Sequence, residues 1–243
     1  MKPISFLARG VQPFFLACVL LGAAAVLLAP GMAGADGNEN PGVLPIGSTP
    51  YGMTYGEWGA AWWKAAFSIP VVDGDHPLLS GGAFGGENRR VLFLAGVFGE
   101  ETTVIELTIP AGTALFFPII NAECSVIEPD PFHGDDEEEL RVCANGHIDN
   151  TSGHFAEIDG VPVNNLLAYR VESPLFEFGP LPEDNLLAFF GVDAPAGATS
   201  LAVDAGVYLF VAPLSVGEHV IHFGATFDEF GASINTTYII TVE

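Results

Sequence analysis

The chain has 243 residues, of which 49% are hydrophobic and 15% charged, enough apolar material for a packed core and too little charge for a disordered protein. Seven basic residues face 30 acidic ones, a net charge of -23, so the cationic surface that drives nucleic-acid binding is missing and nucleic acid is excluded as a partner. Its 29 glycines and 18 prolines follow no Gly-X-Y period and read as the turns of a β-rich fold.

Lys2 and Arg9 precede an apolar run that is strongest from Phe14 to Ala29 and is closed by Pro30, Ala33 and Ala35. This pattern predicts a signal peptide over residues 1–35, cleaved after Ala35, and hence a secreted or periplasmic protein. The apolar run is shorter than the ~20 residues of a spanning helix; an uncleaved N-terminal anchor is the alternative, and the membrane enters only through this export signal. Cys18 carries Phe15 rather than Leu three residues before it, which argues against a lipoprotein site. Beyond residue 35 the basic residues are Lys64, Arg89, Arg90, Arg141 and Arg170, so the exported surface is strongly acidic and gathers cations. No cofactor is required, and calcium is the cation such a surface allows. Cys124 and Cys143, bound for an oxidising compartment, predict a disulfide, with a catalytic thiol as the minor alternative.

Residues 36–50 hold three prolines and three glycines without periodicity and predict a flexible arm. Residues 51–243 then form a single β-rich domain. Thr54 and Glu57 stand at capping-box spacing before a helix that must stop ahead of Pro70. Trp58, Trp62, Ala65 and Ile69 give it an apolar stripe, with Trp63 and Phe67 pointing elsewhere. Short β-favouring runs follow at Arg90–Val97, Thr103–Ile109 and Ala114–Asn121, predicted as a meander. Asp135 and Glu138 suggest a second, short helix running toward Cys143. Asp159 and Gly160 mark a type I′ hairpin turn, and later runs cover Tyr169–Phe178, Val207–Ala212, Glu218–Ala225 and Ser233–Val242. Together these predict a mainly β fold, an antiparallel sandwich or jelly roll with one tryptophan-rich helix.

Strand alternation from Leu115 to Ser125 puts Leu115, Phe117, Ile119, Asn121 and Glu123 on one face. An apolar stripe that ends in Asn121 and Glu123 resembles a pocket at a strand end, where the carboxyl group can serve as acid, base or ligand. The bland reading is a polar edge where the strand leaves the core. His219 shares a face with Ile221 and Phe223, either as a core histidine with a backbone partner or as a supporting catalytic group, while His222 faces the other way. Trp62 and Trp63 offer aromatic surface for a flat or sugar ligand. Glu128, Asp130, Asp135 and Asp136 lie in a short acidic stretch that is a candidate calcium site, although it lacks the alternating spacing of an EF-hand loop. No serine elbow, phosphate loop or zinc spacing is present.

The stretches YGEWGAAWWKAAFSIP, IPAGTALFFPIINAECS, IDGVPVNNLLAYRVESPLFEF and DAGVYLFVAPLSVGEHVIHF resemble a family of uncharacterised secreted bacterial and archaeal proteins. That resemblance implies one intact exported domain and carries over no activity or site residue. Two classes of function remain on the sequence. The first is a non-catalytic extracellular module for a glycan, a cation or a cell-surface partner. The second is a secreted hydrolase or lyase using Glu123 with Asn121 and His219; a deep pocket gathering all three would favour it.

Overall fold

The computed structural model describes residues 40–85, 90–99 and 101–243. The expected signal peptide and cleavage point lie outside the described residues, as does Arg89. In chain order the elements are helices α1 (Tyr55–Phe67) and α2 (Pro77–Ser80), strands β1 (Gly82–Phe84), β2 (Val91–Ala95), β3 (Thr103–Ile109) and β4 (Ala114–Ser125), and helix α3 (Glu137–Asp149). Strands β5 (Thr151–Ile158), β6 (Val161–Pro162), β7 (Arg170–Glu172) and β8 (Phe176–Phe178) follow, then helix α4 (Leu186–Phe189) and strands β9 (Ser200–Val211), β10 (Gly217–Phe227) and β11 (Ala232–Val242). The protein is mainly β. One sheet has the order β1-β2-β4-β9-β7, with β8 also paired to β9; the other has the order β3-β11-β10-β5-β6.

The expected meander over β2, β3 and β4 does not form. Strand β3 leaves the first sheet and pairs parallel with β11 in the second, and β2 pairs parallel with β4. A strand that crosses between layers brings its neighbours together in parallel, because a tight turn joins only antiparallel strands. Both sheets are therefore mixed rather than purely antiparallel. Phe117 of β4 meets Phe223 of β10 at 4.7 Å between ring centroids, which places the main core between the two sheets.

Helix α1 covers the outer face of the first sheet. Its start is the expected capping box, with Thr54 N donating to Glu57 Oε2 at 2.7 Å and Glu57 N to Thr54 Oγ1 at 3.3 Å. Gly56 and Gly59 let the helix lie unusually close to the strands beneath. A Cβ at Gly59 would stand 2.5 Å from Asp204 Oδ2, and one at Gly56 would stand 2.3 Å from the carbonyl oxygen of Glu172. Trp58 then packs edge-on against Phe210, and Phe116 stacks on Tyr208.

The segment expected as a flexible arm is fixed to the domain over its described part. Val43 is buried and bridges Val211, Leu44 N donates to the Phe210 carbonyl, and Asn40 bonds Asn164 and Tyr169. The Asp159–Gly160 turn has positive φ at both residues, 52° and 73°, as a type I′ hairpin requires. The cap of α3 falls one residue later than expected: Asp136, not Asp135, accepts from the amides of Glu138 and Glu139.

Cys124 and Cys143 form the expected disulfide, with Cα atoms 6.1 Å apart, and tie α3 to β4. Replacing both by serine is expected to cost about 3 kcal/mol, since the bridge spans 19 residues of chain and limits the unfolded ensemble accordingly. Urea unfolding of the double variant beside the oxidised protein measures this. A difference below about 1 kcal/mol would mean that packing of α3 alone holds that corner.

Candidate functional site

Alternation along β4 is interrupted by a bulge between Pro118 and Ile120, where the pairing with β9 shifts by one residue. Such a bulge transfers everything beyond it to the opposite face. Asn121 and Glu123 consequently lie with Phe116 and Pro118, toward α1. The expected companions Leu115, Phe117 and Ile119 are not on that face, and Phe117 looks into the space between the sheets. Cross-strand partners confirm the assignment: Phe116 faces Phe210, Pro118 faces Tyr208, Asn121 faces Gly206 and Glu123 faces Asp204.

A cavity of about 380 Å3 opens at this end of β4. Trp62, Trp63 and Phe67 of α1 line one part of it, and Leu186, Leu187 and Phe190 at α4 another. Phe98, Phe190 and Phe230, all substantially exposed, stand in its lining and give it an apolar rim. Its polar groups are few: Asn121, Glu123 and Glu128. Trp63 and Phe67, read from helical spacing as lying off the main stripe, are thus pocket walls.

Glu123 is 4% exposed and its Oε1 has no hydrogen-bond donor, the one such buried side-chain atom among the described residues. None of the described arginines reaches it; Arg141 pairs with Glu137 and Glu172, and Arg170 with Asp149. Its polar neighbours are the Glu128 carboxyl and the Ser125 hydroxyl, and Ser125 Oγ donates to Glu128 Oε2 at 2.6 Å. Two neighbouring carboxyl groups out of water keep a proton between them in preference to ionising together, because each carboxylate raises the cost of the other. Burial first, and the neighbouring Glu128 second, push the Glu123 carboxyl well above its ordinary range; burial also raises Glu128.

Asp204 adds a third acid on the facing strand. It is fully buried, and burial raises it from 3.8 to about 7 against the opposing effect of its hydrogen bonds. Trp63 Nε1 donates to Oδ1 at 2.8 Å, and the Tyr208 hydroxyl donates across Oδ1 and Oδ2 at 2.9 and 2.8 Å. Asn121 Nδ2 in turn donates to the Tyr208 oxygen at 2.9 Å. A continuous chain from Trp63 through Asp204 and Tyr208 to Asn121 therefore fixes one wall of the cavity beside the acid pair.

His219 is not part of this site. It belongs to the second sheet, where Nδ1 meets Asp159 Oδ2 at 2.7 Å and Nε2 meets the Ser215 carbonyl at 2.9 Å. The acidic stretch also separates. Glu128 turns toward Ser125 and Glu123, Asp130 is exposed, Asp135 meets His133 at 3.1 Å, and Asp136 caps α3. These four do not form a calcium cage. Among the described residues, the group of His, Cys, Asp or Glu whose ligand atoms converge within 4.8 Å is Cys124, Cys143 and His147, and its two sulfurs are joined to each other.

Asp204 and Tyr208 were missed as site members, and Glu128, read as a calcium ligand, stands instead beside Glu123. Asp204 carried a usable signal, an acid set inside the apolar run LAVDAGVYLFV with a tyrosine four residues on. No family model, curated protein or solved structure matches this chain.

Proposed function

We propose that the protein is an exported binding protein for a small, largely apolar molecule, with the Glu123–Glu128 pair as its polar anchor. The observation that carries this reading is the unsatisfied Glu123 Oε1 in an aromatic-walled cavity of about 380 Å3. Such a volume suits a small organic ligand, and a buried acceptor without a donor is a position that a ligand group can complete. Sugars are less well served, because their many hydroxyls would meet chiefly hydrocarbon here. A cell-surface partner meets no comparable preformed feature among the described residues. Export is supported by the N-terminal pattern and by the disulfide, which suits an oxidising compartment.

The acid pair also favours a second reading, general acid–base catalysis on a ligand in the same cavity, as in a hydrolase or lyase using Glu123. Asn121 would then position the substrate, while His219 takes no part.

Trp62 and Trp63 provide an internal probe. Naphthalene-type compounds are expected to quench tryptophan fluorescence and raise the melting temperature, since a ligand of the folded state stabilises it. Leu187→Trp, which adds bulk to the wall, is expected to abolish both effects. If no apolar probe produces either signal, the pocket reading fails.

A further inference from the structure

Resting on that reading of the cavity as a small-molecule site, we propose that its ligand is a cationic amine, an ammonium group on an aromatic or branched aliphatic body. Two acids, Glu123 and Glu128, line one end of a hydrocarbon chamber, Asp204 is buried opposite Glu123 on the facing strand, and neither Lys nor Arg contributes to the lining. Asp204 already receives Trp63 and Tyr208. Glu123 Oε1 receives no donor. Its need can be met by a proton held against Glu128 or by an N–H brought in by a ligand, and an ammonium supplies both the donor and the countercharge.

The walls suit the same group. Trp62 and Trp63 present indole rings 5.0 Å apart between centroids and nearly perpendicular, and aromatic faces attract a desolvated cation. The acidic surface of the whole chain adds a field that concentrates cations at the mouth. A carboxylate ligand would meet the opposite: two acids in the lining and no basic partner. A neutral alcohol or ketone is the competing class, because it could accept the proton of the acid pair.

These classes differ in their pH response. An ammonium displaces the proton that the carboxyls share, so its affinity rises with pH, by up to about tenfold per pH unit while the pair titrates. A neutral acceptor needs that proton, so its affinity falls. The groups that bear on the pair are Asp204 and Tyr208 from β9, Asn121 from β4, and His133, whose Nδ1 lies 2.8 Å from the Glu128 main-chain oxygen. From α1 the nearest charge is Lys64, which is exposed, and the β10–β11 turn brings Glu229, engaged with His147.

The test is calorimetric titration of the full protein with naphthylmethylamine and with naphthylmethanol at about pH 5.5 and about pH 7.5. The amine is expected to bind at least about tenfold tighter at the higher pH, to gain affinity between the two, and to release protons on binding. Glu123→Gln is expected to remove the preference for the amine while the alcohol still binds. Should that variant not fold, the pH profile of the unaltered protein decides. An alcohol that binds as tightly as the amine, or an amine whose affinity falls as pH rises, overturns the inference and leaves the apolar-ligand reading intact. Failure of both compounds to bind overturns the two together.

Discussion

Raising the pH from about 5 to about 8 is expected to weaken the fold by roughly 2–3 kcal/mol or more. Asp204 alone sets that scale. Its carboxyl is fully buried and titrates near 7 rather than at 3.8, so the folded state holds a proton that the unfolded state has already released. A group whose folded pKa is raised contributes its full stability below the unfolded value and loses it as pH climbs through the folded one. The window therefore runs from about 4 to about 7 for Asp204. Glu123 and Glu128, also raised by burial, act in the same direction. His133, raised by its bond to Asp135, adds a smaller loss of the same sign at the surface. His76 and His154 oppose it below 6.5, because burial lowers both imidazoles and their charging penalises acid conditions. One buried and one partly exposed histidine do not offset three carboxyls buried close together around β4 and β9. Urea unfolding at a series of pH values measures the balance, and a stability that is flat or rising across this range would show that the acids are solvated in the folded protein.

Local sequence chemistry carried as far as local physics reaches. The capping box at Thr54 and Glu57, the Asp159–Gly160 turn and the strand over Thr103–Ile109 each follow from neighbours a few residues apart, and the structure shows all three. The disulfide needed only a count of cysteines and a compartment. Asn121 and Glu123 were identified together because alternation holds beyond the bulge as well as before it. The bulge itself left no comparable mark: Pro118 lacks an amide donor, yet a proline in a strand signals an edge as readily as a register shift. Partners across the sheet were hidden for a different reason. Which residue faces Glu123 is decided by the pairing of β4 with β9, some eighty residues away, and the crossing of β3 into the second sheet likewise depends on its fit against β11. His219 was drawn into the catalytic alternative by its face alone, but face is a property within one sheet, and its sheet is the other one.

Replacing Asp204 is expected to separate the two costs that this buried acid carries. In Asp204→Ala the Tyr208 hydroxyl loses its acceptor and the Trp63 indole N–H loses its own, both inside the protein. Each orphaned donor costs about 1–3 kcal/mol, so the variant should lose roughly 2–6 kcal/mol at acidic pH, where the native acid is neutral. Asp204→Asn keeps a carbonyl oxygen for Trp63 and Tyr208 and removes the charge. At acidic pH it should fall short of the native protein by no more than about 1–2 kcal/mol, the difference between a matched and an imperfect hydrogen-bond set. Above neutrality the order should invert, because the native chain must then bury a carboxylate beside Glu123 and Glu128 while the amide does not titrate. Gly59 sharpens the comparison: the helix packs so close that a Cβ there would stand 2.5 Å from Asp204 Oδ2, and the fully buried carboxyl has no bulk water beside it to solvate its charge. Unfolding curves for the three proteins at two pH values supply the numbers. If the asparagine variant keeps the full pH dependence of the native protein, Asp204 is not its source; if the alanine variant is as stable as the native protein at acid pH, the Trp63–Asp204–Tyr208 chain contributes nothing to holding the cavity wall in place.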